Sequence, residues 1–182
     1  MGLIIPEDYS LLILTDSEKR VVRSLERGLS DSWLIIPRYD LNTKRRSFEI
    51  DVILLNHDYG VLAMEVKAGD FSIRDGEWFR GDSHVSPSPL RQSQDSAYAL
   101  RDVLRKESKI LKKLHIESAV ALPDIVEKIG SLPAGTSQNK IFLNPDLHEP
   151  REKTNALMCE DVRNDPLSKD QMDTLVILLR PD

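Results

Sequence analysis

The segment EIDVILLNHDYGVLAMEVKA, residues 49–68, decides the fold of this 182-residue chain. Two apolar runs flank the turn-like residues HDYG, which predicts two neighbouring antiparallel strands. If the strands pair about Asp58, residues whose numbers sum to twice that position lie opposite each other, and Asp51 faces Glu65. Successive side chains of a strand alternate between its faces, so Glu65 and Lys67 share one face. The segment therefore predicts two carboxylates and an ammonium group in one small patch.

This patch has the residue types of a divalent-metal site. Opposed carboxylates repel, so the arrangement is costly unless a cation lies between them. Mg²⁺ takes oxygen ligands, including one or two carboxylates, which we expect to be Asp51 and Glu65, with the Val66 carbonyl as a further candidate. Lys67 would hold or help deprotonate the attacking water and offset charge in the transition state. Mn²⁺ is expected to substitute for Mg²⁺. Glu65 and Lys67 alone also fit a solvated ion pair, and it is the facing Asp51 that favours a metal site.

Composition favours a globular protein without a membrane segment. The charged fraction is 30% and the net charge is −5, which argues against nucleic-acid binding unless basic residues cluster locally. The only cysteine, Cys159, excludes an internal disulfide and favours the reducing cytoplasm. We expect it in an apolar strand, as a buried inert thiol. No apolar run is long enough to cross a bilayer, and the N-terminus lacks the features of a secretory signal.

The order of predicted elements indicates an α/β or α+β fold with one mixed sheet flanked by helices. Thr15-x-x-Glu18 is a capping box that begins the first helix. The chain stops after an apolar helix and Pro181, which suggests a piece of a longer protein; residues 1–182 are expected to form a single domain. The other predicted elements are a short strand WLIIPRY with Pro37 at an end or edge, a polar loop at 40–48, a hairpin of FSIR and EWFRG, a helix after Pro89, strands ESAVAL, KIFL and ALMCEDV, and a closing helix QMDTLVILLR.

Four motifs, in this order and spacing, resemble the NERD (nuclease-related) domain, a branch of the PD-(D/E)xK restriction-endonuclease-like superfamily. They are SEKRVVRSL, EIDVILLNHDYGVLAMEVKAG, DGEW and PLRQSQDSAYAL, and the resemblance covers residues 16–104. It implies a restriction-endonuclease-like core in which Asp51 and Glu65 bind the metal and Lys67 is the catalytic lysine.

The resemblance also implies helper residues from two helices. Glu18 would approach the metal site from the first helix, and Gln92 would orient water or phosphate from the helix after Pro89. Each has a structural alternative: Glu18 as the third residue of the capping box, and Gln92 as a polar first-turn residue. Gln94 and Tyr98 share a helix face at i, i+4 spacing and are further candidates for substrate contact.

The expected function is a Mg²⁺-dependent nuclease domain that hydrolyses phosphodiester bonds in DNA by in-line attack of metal-activated water. The alternative is a weak or inactive nucleic-acid-binding or docking module of a larger DNA repair, helicase or defence protein. A structural domain with an ion-pair network is a third alternative. A helicase-type domain, fused or associated, and a second copy that pairs two sites by symmetry are expected partners. The basic loop of Lys44, Arg45 and Arg46 is either solvated or contacts the DNA backbone.

Overall fold

A computed structural model describes residues 1–179, apart from the side chain of Leu11, and contains a six-stranded mixed sheet with helices on both faces. This confirms the predicted α/β class. In chain order the elements are β1 (Leu3–Ile4), α1 (Asp16–Gly28), β2 (Trp33–Asn42), β3 (Ser47–Asn56), β4 (Gly60–Val66), β5 (Phe71–Arg74), β6 (Glu77–Arg80), β7 (Ser83–His84), α2 (Pro89–Glu107), β8 (Ile116–Leu122), β9 (Ile141–Leu143), α3 (Asn144–His148), α4 (Pro150–Glu160) and α5 (Lys169–Leu179).

The large sheet has the strand order β1-β2-β3-β4-β8-β9, and β5, β6 and β7 form a separate three-stranded sheet. β3 and β4 pair antiparallel with Val52 opposite Met64, which confirms the register centred on Asp58. Asn56 fixes the turn, because its side-chain oxygen accepts hydrogen bonds from the backbone N–H groups of Asp58 and Tyr59. β4 then pairs parallel with β8, so the strand that carries Glu65 lies inside the sheet.

Each face of the sheet is covered by a helix that the sequence predicts. Val21, Val22 and Leu25 of α1 are fully buried against one face. Leu100 of α2 packs on the other face, where the hydroxyl of the buried Ser93 donates a 2.7 Å hydrogen bond to a carbonyl of β8. Burial of these apolar stripes fixes where the first turns of α1 and α2 lie relative to the end of β4.

Three sequence-based expectations are wrong. ALMCEDV is not a strand: most of it belongs to α4, which begins at Pro150 and buries Leu157 and Met158. Cys159 consequently lies exposed on that helix rather than buried in a strand. The predicted loop at 40–48 is shorter, because β2 runs to Asn42 and β3 starts at Ser47.

The other predicted elements are present, whereas β1, β7 and α3 have no counterpart in the prediction. β2 continues through Pro37, which the sheet tolerates because β1 pairs only with Leu34 and Ile35, so that Pro37 lies on a locally unpaired edge. Arg180, the last residue of the predicted closing helix, and Pro181 lie outside the described residues. Within residues 1–179, no helix combines the length and the apolar character needed to cross a bilayer.

Candidate active site

A break in the regular alternation of β2 and β3 turns Asp51 toward α1. Pro37 and Tyr39 pair with residues of β3 on either side of Asp51, but Arg38 and Asp51 themselves form no ladder pair. Arg38 has a φ of +47°, in the left-handed region that costs a non-glycine residue on the order of 1–2 kcal/mol. Such local strain is commonly found next to functional side chains.

Asp51 belongs to a cluster of three acids. One carboxylate oxygen from each of Glu18, Glu49 and Asp51 lies within 4.8 Å of the others. Asp51 and Glu18 are 6% and 7% exposed, while Glu49 is exposed and accepts a 2.6 Å hydrogen bond from Arg38. Sequence reasoning does not single out Glu49, although its position two residues before Asp51 on one strand is the signal that could have identified it.

Burial and negative neighbours raise the pKa of Asp51 to about 7. Burial is the largest cause, followed by the charge of Glu65, and Glu18 adds a smaller contribution in the same direction. The backbone N–H of Val66 opposes them, because it donates a 2.6 Å hydrogen bond to Oδ2 of Asp51. A group that titrates near neutral pH among other acids marks a place where a cation would be strongly favoured.

Glu65 and Lys67 lie beside Asp51 and contact each other. Their Oε1 and Nζ atoms are 2.7 Å apart, and their side chains are 12% and 29% exposed. The backbone around the lysine is held by β8 and the residues after it: the N–H of Lys67 donates to the carbonyl of Ala121, and that of Gly69 donates to Asp124. The lysine is therefore positioned by the main chain, although the contact with Glu65 is also what a simple ion pair would show.

Glu18 fulfils the structural role that the sequence predicts and also lies in the acid cluster. The side chain of Thr15 accepts from the N–H of Glu18, and Oε2 of Glu18 accepts a 2.9 Å hydrogen bond from the N–H of Thr15. The capping box is thus complete. Because α1 begins next to β3, the cap and the cluster use the same carboxylate, so one position can serve both roles.

Among the described residues, no hydrogen bond joins the other candidates to the acid cluster. The side-chain amide of Gln92 donates to the carbonyl of Pro87, at the start of its own helix. Gln94 and Tyr98 are hydrogen-bonded at 3.1 Å and line a different cleft. Lys44, Arg45 and Arg46 are exposed at the tip of the β2–β3 hairpin, whose turn is organised by Thr43. Arg46 precedes Asp51 by five residues, roughly 17 Å along an extended strand.

A buried carboxylate cluster with a lysine at the end of two strands of a mixed sheet is the arrangement expected of a restriction-endonuclease-like core. The family model described as nuclease-related domain matches residues 14–123, from the start of α1 to the end of β8. The chain therefore belongs to the NERD, or nuclease-related domain, family. No curated protein matches this sequence.

Proposed function

We propose that this chain is a Mg²⁺-dependent nuclease domain that hydrolyses phosphodiester bonds in DNA. Asp51 and Glu65 would bind the metal, with Mn²⁺ able to replace Mg²⁺. One observation carries the proposal: Asp51 is buried beside other acids and its pKa is raised to about 7. A divalent cation would relieve this repulsion, and a nuclease-related domain provides the context.

The side chains present fit a hard divalent cation. Carboxylate oxygens from Asp51 and Glu65 are the donors that Mg²⁺ prefers, and Val66 could add its carbonyl oxygen. Glu18 and Glu49 extend this set of oxygens, since both lie within 4.8 Å of Asp51. When bound, Mg²⁺ would act as a Lewis acid on water and phosphate.

Side chains and main-chain groups of this chain would orient the metal ligands and stabilise the transition state. The N–H of Val66 binds one oxygen of Asp51, which orients the carboxyl and leaves its second oxygen for a ligand. Glu65 holds the ammonium of Lys67, and that group is exposed enough to reach a phosphate or the attacking water. A fixed cation at that point stabilises the charge that develops in the transition state. Gln92 and the basic hairpin loop would contact substrate on this end of the sheet.

The test compares cleavage of linear, circular and single-stranded DNA with Mg²⁺, with Mn²⁺ or with EDTA. We expect the wild type to cut with either metal and not with EDTA. Asp51→Asn and Lys67→Ala should each slow cleavage by at least about a hundredfold. Matched controls are Asp102→Asn and Lys106→Ala, the same chemical changes at exposed positions of α2, and both should cut like the wild type.

Two results would separate this function from its alternatives. Absence of cleavage with every metal, or site variants that cut as fast as their controls, would overturn the catalytic assignment. Retention of DNA without cleavage would instead identify a binding module of a larger protein. In the cell, the proposed activity would serve DNA repair or defence, beside a helicase-type domain or a second copy of this chain.

A further inference from the structure

A second cluster of metal-ligating groups lies at the other end of β8 from the acid site. His115 directly precedes β8, and Glu117 is the second residue of that strand. Asp161 directly follows α4 and joins them. One ligand atom from each of these three residues lies within 4.8 Å of the others. The cluster opens into a cleft of about 420 Å³ whose lining includes Ser137 and Tyr98.

Two buried polar atoms at this cluster lack a partner in the described part of the chain. Nε2 of His115 has no hydrogen bond although the residue is only 8% exposed. The nearest carboxylate oxygen, Oδ2 of Asp161, is 3.7 Å away, which is too far for a hydrogen bond. The amide oxygen of Asn164 is also buried and unpartnered, while its nitrogen donates to Oε2 of Glu117. A buried polar atom of this kind requires a partner, which beside two carboxylates can be a metal ion or an ordered water.

We propose that His115, Glu117 and Asp161 bind a first-row transition-metal ion of the Zn²⁺ type. An imidazole nitrogen and two carboxylates are common Zn²⁺ ligands, and the cleft would supply water in the fourth position. Mg²⁺ does not suit this site, because it prefers an all-oxygen octahedral shell. The two clusters therefore differ in the metal they favour, since the one around Asp51 consists of carboxylates only.

The pKa values of His115 and Asp161 are both lowered, the direction that favours binding of a metal ion. Burial lowers the pKa of His115, which keeps the imidazole neutral at neutral pH. The hydrogen bonds of Arg163 hold the pKa of Asp161 at about 2, so this carboxylate stays ionised. Lys140 places its Nζ 2.6 Å from Oε1 of Glu117. Lys140 and Arg163 therefore neutralise Glu117 and Asp161 when no metal is bound. The side chain of Arg163 is 62% exposed and can turn away into solvent.

The experiment titrates Zn²⁺ alone into EDTA-treated, dialysed protein carrying Asp51→Asn, so that the first site does not contribute. Calorimetry should give one equivalent of Zn²⁺, and Co²⁺ should give the visible absorption of a tetrahedral site. His115→Gln in this background should weaken Zn²⁺ binding by at least about a hundredfold. Arg163→Ala should tighten binding by up to about fivefold, because it removes a competing exposed cation.

The matched control is His84→Gln, which changes an exposed histidine that pairs with Glu77 outside the cluster. It should leave the affinity for Zn²⁺ unchanged. Unfolding curves in EDTA show whether each variant is folded, and Asp161→Asn at the partly exposed ligand replaces His115→Gln if that variant is not. Equal binding of Zn²⁺ by the ligand variants and the control, or no binding by the parent protein, would overturn the proposal. DNA plays no part in this titration, so its outcome is independent of the nuclease assay.

Discussion

Asp51 ties the stability of the metal-free protein to pH. Its ordinary pKa of 3.8 becomes about 7 in the folded state, so the folded protein holds a proton that the unfolded chain has released at intermediate pH. Stability from this residue is therefore full below about pH 4, falls as pH rises toward 7, and stays lost above that. The lost stability comes from the burial of a charged Asp51 beside other acids, and a bound cation would restore it.

Asp51→Asn should remove that cost. Asparagine can still accept the hydrogen bond from the N–H of Val66, but it carries no charge. In EDTA at pH 8 we expect the free energy of unfolding to rise by up to about 4 kcal/mol, which corresponds to a pKa raised from 3.8 to about 7, and the gain to vanish near pH 4. Urea unfolding at both pH values measures the difference. A variant that is less stable than the wild type at pH 8 would contradict this account of Asp51.

Residue-level prediction worked where a contact depends on sequence distance alone. The capping box of Thr15 and Glu18 is local, and local spacing identified it. The partnership of Arg38 with Glu49 depends on the left-handed backbone of Arg38 opposite Asp51. Arginine rarely adopts a left-handed backbone conformation, so the sequence gives no indication that Arg38 does. Glu49, the third acid of the cluster, therefore could not be predicted from this contact.

At the scale of elements, the register of β3 and β4 could be predicted because a short turn, residues 57–59, fixes the pairing of two apolar runs. The same reasoning failed for α4. Its Ala156, Leu157 and Met158 form a short apolar run, and a run of that length is compatible with a strand as well as with one turn of a helix. Pro150 at the first helical position was the stronger signal, and it begins the helix.

Whether Glu18 binds the metal or only caps α1 can be tested by removing its charge while keeping its capping hydrogen bond. Glu18→Gln keeps an oxygen that can accept from the N–H of Thr15, so we expect the free energy of unfolding to fall by less than about 0.5 kcal/mol. It removes one acid of the cluster, and the affinity for Mg²⁺ should fall by about tenfold. Chemical unfolding and calorimetric titration of the same samples measure the two effects.

Thr15→Ala is the matched control for that experiment. It removes the side-chain cap while leaving the charge of Glu18, and should cost about 1 kcal/mol of stability. Its affinity for Mg²⁺ should stay close to that of the wild type. If Glu18→Gln binds Mg²⁺ as well as the wild type does, Glu18 is a capping residue only and the metal site consists of the strand acids.

At the scale of the whole molecule, the carboxylate cluster and the histidine cluster lie at opposite ends of the parallel strands β4 and β8. The carboxylate cluster lies where β4 ends, and the histidine cluster lies where β8 begins. The cations nearest the two clusters are paired with acids, Lys67 with Glu65 and Lys140 with Glu117, and the net charge of the chain is −5. The tip of the β2–β3 hairpin exposes three consecutive basic residues, and we propose that this loop contacts the phosphate backbone of DNA.

Replacing Lys44, Arg45 and Arg46 together with alanine tests that assignment. For every phosphate that the variant no longer binds, the negative slope of log Kobs against log salt concentration should become shallower by about 0.9, and affinity at low salt should fall for all sequences alike. The turn should persist, because its hydrogen bonds come from Thr43 and the main chain. The control changes the net charge equally, by alanine at the exposed Lys106, Lys109 and Lys112. Fluorescence anisotropy with EDTA present measures binding without cleavage. Equal slopes for the two triple variants would show that the hairpin loop acts only through net charge and does not contact DNA.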